Sequence, residues 1–160
     1  MLTRTVRLLP GLIAATQLLF FAACTDNSPV NPLTDAAGTY QLTLFRNGTP
    51  PVTDTYAAGQ INSLPNGGTV TWTDGTMVLT SNGTFIETNN YTATPTGSSA
   101  GTPGAFVSSG TYTVRGTAFT LNAPTQNQVA ARAAIGTISA STIDYQESNG
   151  TSLDSYRYKR

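Results

Sequence analysis

The chain has 160 residues, with eight basic and eight acidic side chains, no histidine and a single cysteine, Cys24. Without histidine there is no Ser-His-Asp triad and no histidine metal site, and one thiol can form neither an internal disulfide nor a thiolate cluster. Setting aside Arg4 and Arg7 in the first seven residues leaves six basic against eight acidic groups, about −2, with no basic patch for nucleic acid.

Residues 1–7 carry only Arg4, Arg7 and the amino terminus as charges, and residues 8–23 carry none. The apolar run is shorter than the roughly 20 residues a membrane span needs, and the arginines are not adjacent as the twin-arginine route requires. A basic start, an apolar core and small residues at the end make an export signal. It closes on Phe21-Ala22-Ala23-Cys24. This resembles the lipobox of bacterial lipoproteins, an aliphatic residue and two small ones before cysteine, with Phe21 where leucine is usual. The resemblance implies that Cys24 is thioether-linked to diacylglycerol, that the signal is cut before it, and that the new amino terminus is acylated. The alternative is an ordinary secretory signal with a cysteine near its cut. One acyl chain binds a bilayer marginally and two bind it stably. The expected organisation is a signal peptide over 1–23, lipidated Cys24 and a flexible tether over 24–37, and one domain over 38–160, held at the outer membrane or cell surface.

Residues 25–37 have two prolines and no periodicity, as a tether would. Ten of the chain's fifteen glycines, all from Gly38 onward, are followed directly by threonine. Glycine suits tight turns and threonine suits strands, so the repeat predicts turn-then-strand units. Period-two alternation follows: Tyr40, Leu42 and Leu44; Val70 and Trp72; Met77 and Leu79; Phe85 and Tyr91 opposite Ile86; Tyr112 and Val114; Phe119 and Leu121; Ile143 and Tyr145; Tyr156 and Tyr158 opposite Arg157 and Lys159. Hairpin turns are predicted at Asn47-Gly48, Asn66-Gly67, Asp74-Gly75, Asn82-Gly83 and Asn149-Gly150, with another near Ser141-Thr142. Residues 94–105 read as a long mobile loop between paired strands, and residues 126–134 as a short helix or a strand. Eight or nine strands in so short a domain predict an all-β antiparallel up-and-down meander. An eight-stranded barrel, which removes both edges, is the main expectation, and a two-sheet sandwich the alternative.

Gly38-Thr39-Tyr40, the segments 74–79 and 82–85, Ser109-Gly110-Thr111-Tyr112, Gly136-Thr137-Ile138 and Tyr156-Arg157-Tyr158 together resemble the lipocalin-like barrels found among small bacterial lipoproteins. In that family a tryptophan opens the first strand and a late basic residue packs across it. The resemblance places Tyr40 and Arg157 in those roles. The family's cysteines are missing.

The acids offer little chemistry. Asp74 precedes a turn glycine and reads as a turn former. Glu87 follows Phe85 by two residues and would share its inward face, where it would orient a polar ligand atom or pair with Arg115, but a solvated rim position is preferred because a buried unpaired charge is costly. No spacing supports a two-carboxylate hydrolase, a phosphate loop or a calcium loop. No catalytic residue, metal or cofactor is therefore expected. The candidate ligand residues are Tyr40, Trp72, Phe85, Tyr112, Phe119 and Tyr145, with Phe106, Tyr156 and Tyr158 also facing inward. They either line a pocket for a small hydrophobic molecule or fill the barrel, leaving at most a shallow cup. Two functions follow: a lipid-anchored envelope barrel that binds a small hydrophobic ligand, or a non-catalytic module that acts by contact with another protein.

Overall fold

The computed structural model describes residues 32–125, 130–148, 150 and 152–160. After one helical turn, α1 (Pro32–Ala36), come nine strands: β1 (Gly38–Leu44), β2 (Val52–Tyr56), β3 (Gly68–Leu79), β4 (Thr84–Pro95), β5 (Thr102–Arg115), β6 (Ala118–Ala123), β7 (Arg132–Ile138), β8 (Thr142–Ser148) and β9 (Leu153–Lys159). Each strand from β2 to β9 pairs antiparallel with the next, β9 pairs with β1, and β1 closes on β3 from Gly38↔Leu79 to Gln41↔Thr76. The result is an eight-stranded closed barrel, not a sandwich. The extra strand β2 lies along the other half of β3, from Val52↔Trp72 to Tyr56↔Gly68.

Alternation decides which face is inside. Tyr40, Met77, Leu79, Phe85, Phe119, Leu121, Ile143, Tyr145 and Tyr158 are buried, whereas Ile86, Val107 and Ile135 point out. The buried side chains form one packed cluster along the inside of the barrel. A smaller cluster of Leu64, Val70 and Ala93 packs where the β2–β3 loop folds over the far part of β3 and β4.

The glycine-threonine repeat has two structural meanings. Gly38 and Gly68 open strands, and Gly83 and Gly101 directly precede them. Gly75, Gly110 and Gly136 instead lie inside strands. The predicted turn at Asp74-Gly75 does not form: β3 runs through it, with a register shift between Trp72 and Asp74 where it bends. Asp74 is no turn former there; it accepts a hydrogen bond from the Asn90 amide across the ladder (2.5 Å). At Gly136 an added Cβ would stand 1.9 Å from the Asp144 carbonyl oxygen, and at Gly110 2.1 Å from that of Asn122. These glycines let strands cross closely where the sheet curls shut. Gly136→Ala should therefore lower stability by about 1–3 kcal/mol, read as a shift of the urea midpoint. An unchanged midpoint would show that the close approach is not required.

Other expectations move by a few residues. Residues 32–36 of the expected tether form α1, whose proline stands in the first turn. The 94–105 stretch is mostly ladder, with Ala93↔Thr102 and Tyr91↔Gly104 paired, so the connection shrinks to residues 96–101. Of the ambiguous 126–134 stretch, Arg132–Ala134 begin β7, and residues 126–129 lie outside the described residues.

One barrel end is closed. The Tyr40 hydroxyl donates to the Ala36 carbonyl (2.8 Å), and the Tyr112 hydroxyl to that of Thr80 (2.7 Å). The residue packed over the Tyr40 ring is Arg160, 5.1 Å from its centroid, not Arg157. Arg160 also donates to the carbonyls of Asp35, Ala37 and Ala140, tying α1 to the barrel floor. Arg157 faces outward and pairs with Asp144. The alternation requires this, because its neighbours Tyr156 and Tyr158 point in.

Candidate functional site

The opposite end of the barrel is open, and its chemistry begins below the rim. Glu87 on β4 is 0% exposed, not a solvated rim residue, and its partner is Arg132 on β7 rather than Arg115. A buried carboxylate is tolerated when it is paired and fully hydrogen-bonded. Oε2 accepts from Arg132 Nη1 (2.7 Å), while Oε1 accepts from the hydroxyls of Tyr145 (2.8 Å) and Tyr158 and from the Asn89 amide (3.1 Å). Burial alone would raise the Glu87 carboxyl, but the Arg132 charge and the hydrogen bonds from Tyr158, Arg132 and Tyr145 outweigh it and hold the group below its ordinary value.

Arg132 is shared. Its Nη2 and Nε donate to Glu147 on β8 at 2.5 and 3.1 Å, and its guanidinium lies 5.5 Å from the Phe106 centroid. Glu147 moves the other way from Glu87. Its carboxyl is raised, first by burial and further by the charges of Glu87 and Asp154, against the lowering effect of Arg132.

A second arginine works at the rim. Arg46 and Asn47 both have left-handed backbones, φ 48° and 68°, between Phe45 and Gly48, which bridge across the turn. The tight turn is thus Arg46-Asn47, one residue earlier than the sequence suggests. It aims Arg46 at Asp154 (3.0 Å) and Asp54 (2.5 Å), and Asp54 also accepts from the Trp72 indole (3.0 Å). Asn47 fixes the turn to β9 by bonding in both directions with the Ser155 backbone, at 3.1 Å each.

Between these two arginines lies an open cup of about 280 Å³, walled by Phe45, Trp72, Phe106 and Tyr156 and floored by Arg132 and Glu147. Three of its rings belong to a continuous series: Tyr91 to Trp72 (5.2 Å between centroids), Trp72 to Phe45 (4.8 Å), Phe45 to Tyr156 (5.3 Å) and Tyr156 to Tyr145 (4.9 Å).

Of the six aromatic residues predicted for a ligand, Trp72 lines this cup. Tyr40, Phe85, Tyr112, Phe119 and Tyr145 are buried in the packed core, where Tyr145 backs the cup wall by stacking on Tyr156 and donates to Glu87. Cys24 lies outside the described residues. The residues that sequence reasoning passed over are Arg46, Arg132, Glu147 and Asp154. A signal for two of them existed: Glu147 follows inward Tyr145 by two residues, and Asp154 precedes inward Tyr156 by two. No protein-family model, curated protein or solved structure matches the chain, and the case for its function rests on the mouth of the barrel itself.

Proposed function

We propose that this protein is an exported, lipid-anchored barrel of the lipocalin-like kind that holds a small, largely apolar molecule in its mouth cup. One observation carries the reading: the interior is filled from α1 up to Glu87, yet the mouth keeps about 280 Å³ walled by four aromatic rings. Ligand sites combine apolar walls with a few fixed polar groups, and the cup has that composition at the small end of the usual range of roughly 300–1,000 Å³. The role is binding rather than catalysis. The chain has no histidine, its cysteine serves as the anchor, and each cup arginine is occupied in bridging two carboxylates.

Lipid on Cys24 would also orient the barrel. Pro32, where α1 begins, lies at the closed end, and eight residue steps from Cys24 reach at most about 28 Å. The closed end then sits toward the bilayer and the cup opens away from it. Cys24→Ser should abolish labelling by a radioactive fatty acid while leaving a folded protein. Equal labelling of both forms would remove the anchor from this reading.

Native mass spectrometry of the full chain, released from its own membrane in mild detergent, tests the binding role. A one-to-one small-molecule adduct is expected. Preparations that carry only protein and phospholipid would contradict it. A second reading, contact with another protein, is favoured by the outer face of β3–β5, where Val78, Ile86 and Val107 are 37%, 52% and 53% exposed and Val78 pairs directly with Ile86. It would gain ground if Ile86→Lys released a co-purifying protein that cup substitutions left bound.

A further inference from the structure

Resting on the reading that the cup holds a small molecule, we infer that this molecule carries a positive charge: the cup is built for a small organic cation, a protonated amine or a quaternary ammonium. Charge is the first reason. Four carboxylates, Glu87, Glu147, Asp54 and Asp154, surround the cup or support its floor and rim, against two guanidiniums, Arg46 and Arg132. Both arginines are already committed, each to two carboxylates. An anion entering the cup would meet neutralised arginines and two surplus negative charges, whereas a cation would meet the surplus. In a partly dehydrated cleft that field acts with less screening than it would in open water.

Position is the second reason. Glu147 is on the cup floor, and among the described residues its Oε2 accepts only the longer contact from Arg132 Nε, 3.2 Å. The raised Glu147 carboxyl reflects burial and the neighbouring charges of Glu87 and Asp154, the condition that an arriving cation relieves. The walls are the third reason. Cations are drawn to aromatic faces within about 6 Å, and tryptophan is the best of them. Arg132 already uses Phe106 in this way, at 5.5 Å; Trp72 and Phe45 stack on each other and Tyr156 stacks on Tyr145, so a ligand in the cup meets the remaining faces and edges of these three rings. At about 280 Å³ the cup suits a small cation.

Trp72 is the only tryptophan in the chain, so its fluorescence reports on the cup directly. The full chain in detergent, at constant ionic strength, is titrated with three probes of nearly one shape. They are choline, its neutral isostere 3,3-dimethylbutan-1-ol, and the anion 3,3-dimethylbutanoate. Choline should bind at least tenfold more tightly than the alcohol, and the anion more weakly than either. Glu147→Gln, with its melting curve recorded alongside, should lower choline affinity severalfold and leave the alcohol's unchanged. The comparison among probes is made on the unaltered chain and does not depend on that variant folding. Equal affinity for choline and the alcohol, or a preference for the anion, would overturn the positive charge and leave a ligand cup standing. No response to any probe would overturn the inference too, while the cup itself would still stand or fall by the native mass spectrum.

Discussion

Replacing Arg132 with methionine is expected to destabilise the barrel by about 3–5 kcal/mol near neutral pH, the cost of leaving a buried ion without its partner. Glu87 is 0% exposed and, among the described residues, Arg132 supplies its only ion pair. The pH dependence gives the effect a signature. In the unaltered protein Glu87 sits below its ordinary value of 4.5, so the stability it contributes is fully present above that ordinary value and is lost as pH falls below it through the lowered folded-state value. Without Arg132, burial dominates and the Glu87 carboxyl rises. The variant then gains relative stability as the pH is lowered and the carboxyl takes up a proton. Urea midpoints for the two proteins should therefore converge as the pH is lowered from neutrality. Adding Glu87→Gln to the methionine variant should recover part of the loss, since the two side chains are coupled. A loss below about half a kcal/mol, the usual range of surface substitutions, or a gap independent of pH, would mean that the pair does not hold the barrel.

Phe119→Ala should cost a comparable amount, about 3–5 kcal/mol, because the ring is fully buried and its removal leaves a cavity in a packed interior. Phe119 is 0% exposed and stacks on Tyr112 at 5.9 Å between centroids. Denaturant unfolding measures this directly. A change below about half a kcal/mol would place the ring outside the core.

The fold was written in alternation. Tyr40 and Leu42, Phe85 and Tyr91, Phe119 and Leu121, and Tyr156 and Tyr158 all face as their period-two spacing requires, since one side of a curled sheet is dry and the other wet. What alternation does not encode is pairing. Asp74-Gly75 carries the local chemistry of a turn, but β4 pairs along both sides of it and β1 and β2 share the opposite edge, so the chain bends and continues. The same holds for Gly110 and Gly136, whose lack of a side chain serves the neighbouring strand rather than a turn.

The candidate site was half legible for a related reason. Glu87 was visible as an inward position, but an isolated carboxylate belongs at a rim, and its cation lay in a stretch with no decided element. Only when residues 132–138 are a strand does Arg132 point inward, where its guanidinium meets Glu87 at 2.7 Å. Arg46 depends on a left-handed turn that its own residue type disfavours. The predicted aromatic residues were correctly placed inward as a set, but facing inward does not distinguish a core ring from a cup wall. That depends on height along the barrel, which is set by register.

The central claim is that a small molecule sits in the mouth, above a filled interior. Two-dimensional NMR of the isotopically labelled full chain, with and without the solvent-extracted small-molecule fraction of its own membrane, tests this most directly. The account predicts shifts confined to the Trp72 indole and to Phe45, Arg46, Phe106, Ser148 and Tyr156, with Phe119, Leu121 and Ile143 unmoved. Shifts concentrated on Val78, Ile86 and Val107, or on the closed end around Ala36 and Ile138, would contradict it.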